Sequence, residues 1–591
     1  MDKNELLKKI IYGTNKGIMT EHKLYPEFFD EVGRAKILNS YIHKEYLDDI
    51  NQAAEGYRNK EINVLPWSLF IGFETSGNRL EYEKAYFEHR GRLMTFALMS
   101  WLYRKPSDIL ELEDIIWAIC EEYTWALPAH IDSKSLEPTI DLFAAETAFA
   151  LSEIIYMLGE LLSPLIINRA KKEIFGRVLF AYLEYKGEYN WEVMKNNWCA
   201  VCAGSIGVTG IYLLEDDSLL AELLNRLSPT LERFLDSFED DGACLEGLSY
   251  WTYGVSFYVA FADLLKRRTA GEVDLLNTKR FKKIAIFQHK CYFPGGWTVS
   301  FSDANTKDCY RTGLTSFLKR RFNEVQIPPS SSKAGYFFDP CFRWCNGIRD
   351  LLWTDEYIID TSSETACHIL PNAEWMLCKQ YSGNQLSLAV KGGHNDEPHN
   401  HNDVGSFILY KDGECILTDL GSGEYTKDYF GEERYSIFCN SSLGHNVPII
   451  DGNGQKEGKS FAAKDLVFHG NGRMTMDISD AYDNNDLVKL IRDITIHEDK
   501  VILIDTFELT KGIKSISERF VTLHKPTIME GSVLIKAGKT ECHIRYDSTN
   551  IKPLIQMHYH MDHEGKRVTV YSINFEREIY SDTVICIFEI Q

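Results

Sequence analysis

No stretch of this 591-residue chain holds the roughly 18 unbroken apolar residues that a membrane-spanning helix needs. Its first residues, Met1 to Ile10, alternate charge with apolar side chains and contain no signal-peptide apolar core. The expectation is a soluble, cytoplasmic protein, with a periplasmic or secreted one as the alternative if a leader was trimmed. Basic residues are scarce: 64 Lys and Arg against 86 Asp and Glu leave a net charge of −22. That deficit argues against nucleic acid as a partner, because gripping phosphates takes a basic face. An acidic sugar polymer is not excluded, since a cleft can be locally basic on an acidic protein. The fourteen cysteines are scattered, which excludes a small disulfide scaffold. Cys199 and Cys202 have C-x-x-C spacing, and Cys341 and Cys345 form a looser pair, yet no second close pair completes a zinc ribbon. Buried, reduced thiols are expected.

Tryptophan is also missing from the last third: all eleven lie at or before Trp375. The chain changes character at that point. Upstream, apolar residues recur three and four apart, as in Leu142 to Ile155 and in the leucine-rich run from Ser218 to Phe238. Downstream, the period shortens to two in Val501–Phe507, Glu541–Tyr546 and Arg567–Ile573, which read as strands. Helices followed by strands imply separate α and β domains, placed here at residues 1–365 and 366–591. The Pro- and Ser-rich run from Pro328 to Gly335 is expected to be a flexible loop near the junction, with a loop over a cleft as the alternative to a true linker. Basic residues in Glu88-His89-Arg90-Gly91-Arg92 are read as solvated at a helix end, or as added charge for a substrate subsite.

The segment Gly392 to Phe407 is the most informative. Three histidines, His394, His399 and His401, fall within eight positions just before a strand-like run. If H-x-H is extended, His399 and His401 point to one face, and adjacent imidazoles there call for a metal, an acid partner or different protonation states. Asp419 and His445 follow. Two imidazoles and a carboxylate form a common ligand set for a divalent ion, although this wide spacing leaves a turn aspartate and a core histidine as alternatives.

These residues carry a family resemblance. The run from His394 to Phe407, then Asp419-Leu420-Gly421-Ser422-Gly423-Glu424-Tyr425, then Gly444-His445-Asn446, resembles the heparinase II/III-like polysaccharide lyases. The helical half matches through Asn196-Asn197-Trp198 and Glu246 to Gly254. The resemblance implies an N-terminal incomplete (α/α) toroid of helical hairpins and a C-terminal antiparallel β-sandwich, with the active cleft between them. It implies β-elimination of uronic-acid-containing glycans, such as heparin or heparan sulfate, hyaluronan or chondroitin, to 4,5-unsaturated products. It also implies a divalent metal held by His401, Asp419 and His445, zinc before manganese or calcium, which braces a loop and leaves His399 for catalysis.

Within that expectation, elimination needs a partner for the uronate carboxylate, a base at C5 and an acid at O4. Asn197 suits the first role, because an amide donates without bringing charge. Trp198 stands where relatives often carry histidine, so stacking on a sugar is its expected role. His399 and Tyr253 are expected to share the acid and base roles. Tyr250, three residues from Tyr253 on the same helical face, is its rival and a substrate contact. Tyr425 is expected to line the cleft, with Tyr435 as its rival. Two other functions stay open: a glycoside hydrolase on unsaturated uronyl oligosaccharides, built on a carboxylate pair such as Asp141 and Asp303, and an inactive glycan-binding scaffold.

Overall fold

The computed structural model describes residues 2–20, 22–131, 139–355, 365–380 and 385–591. Five inner helices, Leu80–Tyr103, Leu142–Leu158, Asn197–Leu213, Leu248–Arg268 and Trp344–Leu352, neighbour one another in turn, and the last touches the first. Outer helices close around them: Pro106–Glu121 lies on the first and Asp217–Leu235 on the third. This is the incomplete (α/α) toroid, and the sequence explains its two layers. Asp217–Leu235 is amphipathic and turns Leu220, Leu223, Leu224, Leu227 and Leu231 inward. Leu142–Leu158 and Asn197–Leu213 are buried nearly all round, as helices that are apolar on every side must be. No described helix is long and apolar enough to cross a membrane.

The chain then turns to antiparallel sheets. A five-stranded sheet runs in the order Ala366–Leu370, Trp375–Lys379, Leu386–Lys391, Phe407–Lys411, Glu414–Leu417. Its side chains alternate between two cores. Trp375, Leu377, Ala389, Ile408 and Tyr410 face the toroid. Met376, Leu388, Val390, Phe407 and Leu409 join the core shared with the other sheets. A sheet covered on both faces reads as continuous apolar runs, and Leu386–Lys391 is buried at every position. An eight-stranded sheet built around Leu487–Ile496, Val501–Leu509 and Thr583–Ile590 and a four-stranded one around Ser515–Thr522 and Arg567–Glu578 complete the β half. The two halves are thus joined by a sheet that belongs to both cores.

Three expectations are corrected. Cys367 and Cys378, directly opposite on adjacent strands, form a disulfide, whereas the other twelve cysteines are free. Pro328–Gly335 is no loose linker: Tyr310 N–H donates to Ser332 O at 2.9 Å and Ala334 N–H to Tyr310 O at 3.0 Å. His89, Arg90 and Arg92 are buried inside a long helix, not solvated at its end. Glu122 takes two hydrogen bonds from Arg90, at 2.6 and 2.9 Å, and one contact from His89 at 2.7 Å. That charge is neutralised within the toroid and is not on offer to a ligand.

Candidate active site and metal centre

One carboxylate organises the site, and it comes from the helical half. Asp303 is buried in the stretch just before the helix Thr312–Arg321, within the connection between the fourth and fifth inner helices. Its Oδ2 lies 2.6 Å from His399 Nδ1 and its Oδ1 lies 3.0 Å from His401 Nε2. The Tyr429 hydroxyl donates to Oδ1 at 2.5 Å, the Tyr425 hydroxyl to Oδ2 at 3.2 Å, and Arg434 Nη2 lies 3.4 Å from Oδ2. Burial alone would raise the Asp303 pKa, but hydrogen bonds and charges from His399 and His401 win and hold it well below the carboxylate range.

The H-x-H segment is not extended. His399 sits in a turn with φ 56°, and the residue before Asp303, Ser302, has φ 60°. A left-handed backbone costs a non-glycine residue roughly 1–2 kcal/mol, and such strain survives only where the surroundings over-determine it. What brings the two imidazoles together is therefore the shared carboxylate, one oxygen to each ring, and not strand alternation.

Because a carboxylate only accepts, His399 carries its proton on Nδ1, which leaves Nε2 toward the open side. Nε2 lies 3.5 Å from Glu246 Oε1, and the His399 side chain is 22% exposed. Tyr250 stacks on this ring, with centroids 4.6 Å apart, and its hydroxyl is hydrogen-bonded to that of Tyr425. Burial by itself lowers the His399 pKa, but the Asp303 bond and the charges of Asp303 and Glu246 more than offset it, and the net shift is upward. Glu246 in turn accepts the Asn197 backbone N–H at 3.3 Å. Asn197 is the first residue of its helix, and the cap is its neighbour Asn196, whose side chain accepts from Trp198 N–H at 3.1 Å. Trp198 packs edge-on against His130 at 4.9 Å.

Tyr253, one turn beyond Tyr250, faces different partners. Its hydroxyl donates to Glu146, and the Arg343 guanidinium lies 4.0 Å from its ring centre. Tyr250, not Tyr253, is thus the tyrosine in contact with His399. Tyr435 donates to Asn400 Oδ1 at 2.8 Å, whereas Tyr425 reaches Asp303. Asp141 accepts from Ala144 N–H at 2.8 Å and Leu127 N–H at 3.1 Å, and contacts His130 at 2.7 Å. Both of its oxygens are committed to a helix cap and a histidine, so it does not face Asp303 as a free hydrolase acid.

Behind His399 lies a second cluster. His401, Asp419 and His445, all fully buried, bring one ligand atom each within 4.8 Å of one another. His445 Nε2 lies 2.7 Å from the Cys439 carbonyl, and His401 Nε2 is on Asp303. Both partners only accept, so both rings are protonated on Nε2 and turn Nδ1 inward. His401 Nδ1, His445 Nδ1 and Asp419 Oδ2 have no hydrogen-bond partner among the described residues, although the last two are 3.1 Å apart. Two lone pairs and a carboxylate oxygen facing one another in the interior repel, unless a cation sits among them. The residues fit a divalent ion. Gly421 N–H donates to Asp419 Oδ1 at 2.9 Å and fixes the carboxylate from behind.

Two glycines clamp the loop that carries Asp303. A Cβ on Gly421 (φ +64°) would lie 2.0 Å from the Ala304 oxygen, and one on Gly247 (φ +104°) would lie 2.5 Å from Ala304 Cβ. The first belongs to the β half and the second to the toroid, so Ala304 is held between them, next to Asp303. Gly421→Ala is expected to lower both thermal stability and turnover, at an overpacking cost of about 1–3 kcal/mol. Gly452→Ala (φ +79°), with nothing among the described residues within 4 Å, is the control that carries backbone strain alone. If the two variants melt and turn over alike, the clamp has no role.

Asp303, Arg434 and Tyr429 are the neighbours at the site that local motifs do not announce. Glu246 lies inside a recognisable motif, but Asp303 meets its partners only across a sequence gap of nearly a hundred residues.

Residues 367–578 match the family profile described as Heparinase II/III-like, C-terminal. Among solved structures, the chain is similar to heparinase III, at 13% identity and TM-score 0.63, over 96% of this chain and 93% of that one. It is similar to a mutant heparan sulfate lyase from Pedobacter heparinus, at 14% identity and TM-score 0.60, over 86% and 76%. A Paenibacillus xanthan lyase matches at 10% identity and TM-score 0.52, over 92% of this chain and 56% of that one. Identities this low show a shared fold and no more. Comparison with curated proteins finds no match. The profile spans the segment that carries His399, His401, Asp419, Tyr425 and His445, and it is this segment that is similar to the heparinase II/III-like C-terminal domain.

Proposed function

We propose that this protein is a polysaccharide lyase that cleaves uronic-acid-containing glycans by β-elimination, with glycosaminoglycans as the substrate class. The observation that carries the reading is the Asp303–His399 pair, which fixes the ring through Nδ1, stacks it on Tyr250 and presents Nε2 beside Glu246, the carboxylate that accepts the Asn197 backbone N–H. The match of residues 367–578 to the heparinase II/III-like profile supports it, as do similar folds named as a heparinase, a heparan sulfate lyase and a xanthan lyase.

In this reading Asn197 donates to the substrate carboxylate and so stabilises the charge that develops when C5 loses its proton. His399 and Tyr253 divide the proton transfers at C5 and O4, and each positioned acid or base contributes about 10²- to 10⁴-fold. Tyr425 lines the site, while Trp198 and Tyr250 offer aromatic faces to the sugar. His401 Nδ1, Asp419 Oδ2 and His445 Nδ1 hold a divalent ion, zinc before manganese or calcium for two imidazoles and one carboxylate. When bound, the ion supplies positive charge that locks His401, and with it the turn that presents His399.

Incubation with heparin, heparan sulfate, hyaluronan, chondroitin and alginate is expected to raise ultraviolet absorbance with at least one polymer, as a C4–C5 double bond forms. No rise with any of them would sink the lyase reading. Loss of absorbance from unsaturated oligosaccharides would support the hydrolase instead.

A further inference from the structure

Glu146 takes no part in the site as described, yet it is the hydrogen-bond partner of Tyr253. It lies on the inner helix Leu142–Leu158, with its side chain 11% exposed, and lines a small cavity in the toroid with Arg90, Phe143, Cys341 and Arg343. The charged and titratable groups around it can be named element by element. Tyr253 comes from the helix Leu248–Arg268 and Cys202 from Asn197–Leu213. Asp339, Cys341 and Arg343 come from the segment before the last inner helix, and Cys345 from that helix. Asp141 caps its own helix, and Arg90, on the helix Leu80–Tyr103, is already paired with Glu122. Among the described residues, Arg343 is the cation facing it, 3.6 Å from Glu146 Oε1 and also bonded to Asp339 at 2.8 Å.

This arrangement answers a difficulty in the chemistry. A tyrosine accepts a C5 proton only as phenolate or by passing its own proton on. Phenolate is disfavoured here: burial first, and then the charge of Glu146, hold the Tyr253 phenol well above its ordinary value, with Arg343 offsetting only part. The second route is open, because the phenol O–H already points at a carboxylate.

We propose that Tyr253 is a relay and that Glu146 is the positioning residue that receives the relayed proton. The inference rests on the lyase reading above and deepens it. The C5–H bond breaks, its proton goes to Tyr253 Oη, and the Tyr253 proton goes to Glu146 Oε1. The C5–H electron pair becomes the C4=C5 bond. The C4–O4 bond breaks, and O4 leaves with its electron pair and takes the Nε2 proton of His399, which enters the step as imidazolium and regains that proton from solvent afterwards. Glu146 then returns its proton to solvent. In support, burial outweighs Arg343 and the Tyr253 bond and pushes the Glu146 carboxyl up to about 7, a base matched to neutral pH.

The test compares wild type, Glu146→Gln, Glu146→Asp and Tyr253→Phe in the full-length protein, with heparan sulfate as the probe. Glu146→Gln keeps a hydrogen-bond acceptor for the phenol but cannot take the proton. Its kcat is expected to fall about 10²-fold or more, with KM held and the rise of kcat with pH near 7 abolished. Glu146→Asp is expected to restore part of the rate. Wild-type kcat and pH profile in Glu146→Gln, with Tyr253→Phe inactive, would overturn the relay alone. Wild-type turnover in Tyr253→Phe would overturn the tyrosine's role, and the relay with it. An infrared pH titration reads the same pair without substrate. A carboxylic C=O band should vanish near pH 7, be absent from Glu146→Gln and be shifted in Tyr253→Phe. Identical spectra for the three proteins would overturn the inference.

Discussion

Asp303→Ala is expected to abolish turnover, release the metal and destabilise the fold together. The carboxylate answers His399, His401, Arg434 and two tyrosine hydroxyls within one buried cluster. Removing one member of a buried charged network costs about 3–5 kcal/mol, because the partners stay behind unpaired. Losing the acceptor for His399 Nδ1–H also frees the ring to take the other tautomer, an effect worth about 10³- to 10⁴-fold where an aspartate orients a catalytic histidine. Asp303→Asn keeps the size but presents a donor to one of the two rings, so it should retain more stability than the alanine variant and recover no activity. Thermal unfolding, metal analysis and the absorbance assay read the three effects separately. A soluble Asp303→Ala protein with near-native turnover would contradict the central place given to this residue.

His399 and His401 should part company. His399→Asn is the cleaner substitution, because asparagine tolerates the left-handed backbone found at φ 56° better than alanine does. It is expected to lose about 10²- to 10⁴-fold in turnover with metal content and melting temperature preserved. His401→Ala removes a buried ligand and leaves Asp419 and His445 facing one another at 3.1 Å without the third donor. Metal and thermal stability should fall together, and a chelator should reproduce the loss of stability in the wild-type protein. If both variants lose metal to the same extent, the division of labour within the turn is wrong. If both keep full activity, the scaffold reading gains.

The order of the halves was legible because it rests on local physics. Period 3.6 in Ser218–Phe238 and period two in Val501–Phe507 follow from which faces each element buries, and the structure has helix Asp217–Leu235 and strand Val501–Leu509 there. The three candidate metal ligands were legible as residue types in order, and they do converge. Their geometry was not. An extended H-x-H predicts a shared face by alternation, whereas the turn at His399 achieves the meeting through a residue nearly a hundred positions upstream. His89 and Arg90 misled for the opposite reason: their partner, Glu122, sits just past the end of another helix, and only the packed toroid shows that the charge is cancelled.

Sequence by itself determined the helical and β halves, the family motif and the candidate ligands, because periodicity and motif chemistry act over a few residues. Tertiary structure alone decided that Asp303 ties the halves together, that Tyr250 touches His399, and that Tyr253 answers to Glu146. Those are contacts between distant segments, fixed by how two cores share one sheet and by which buried charges then have no other partner within reach.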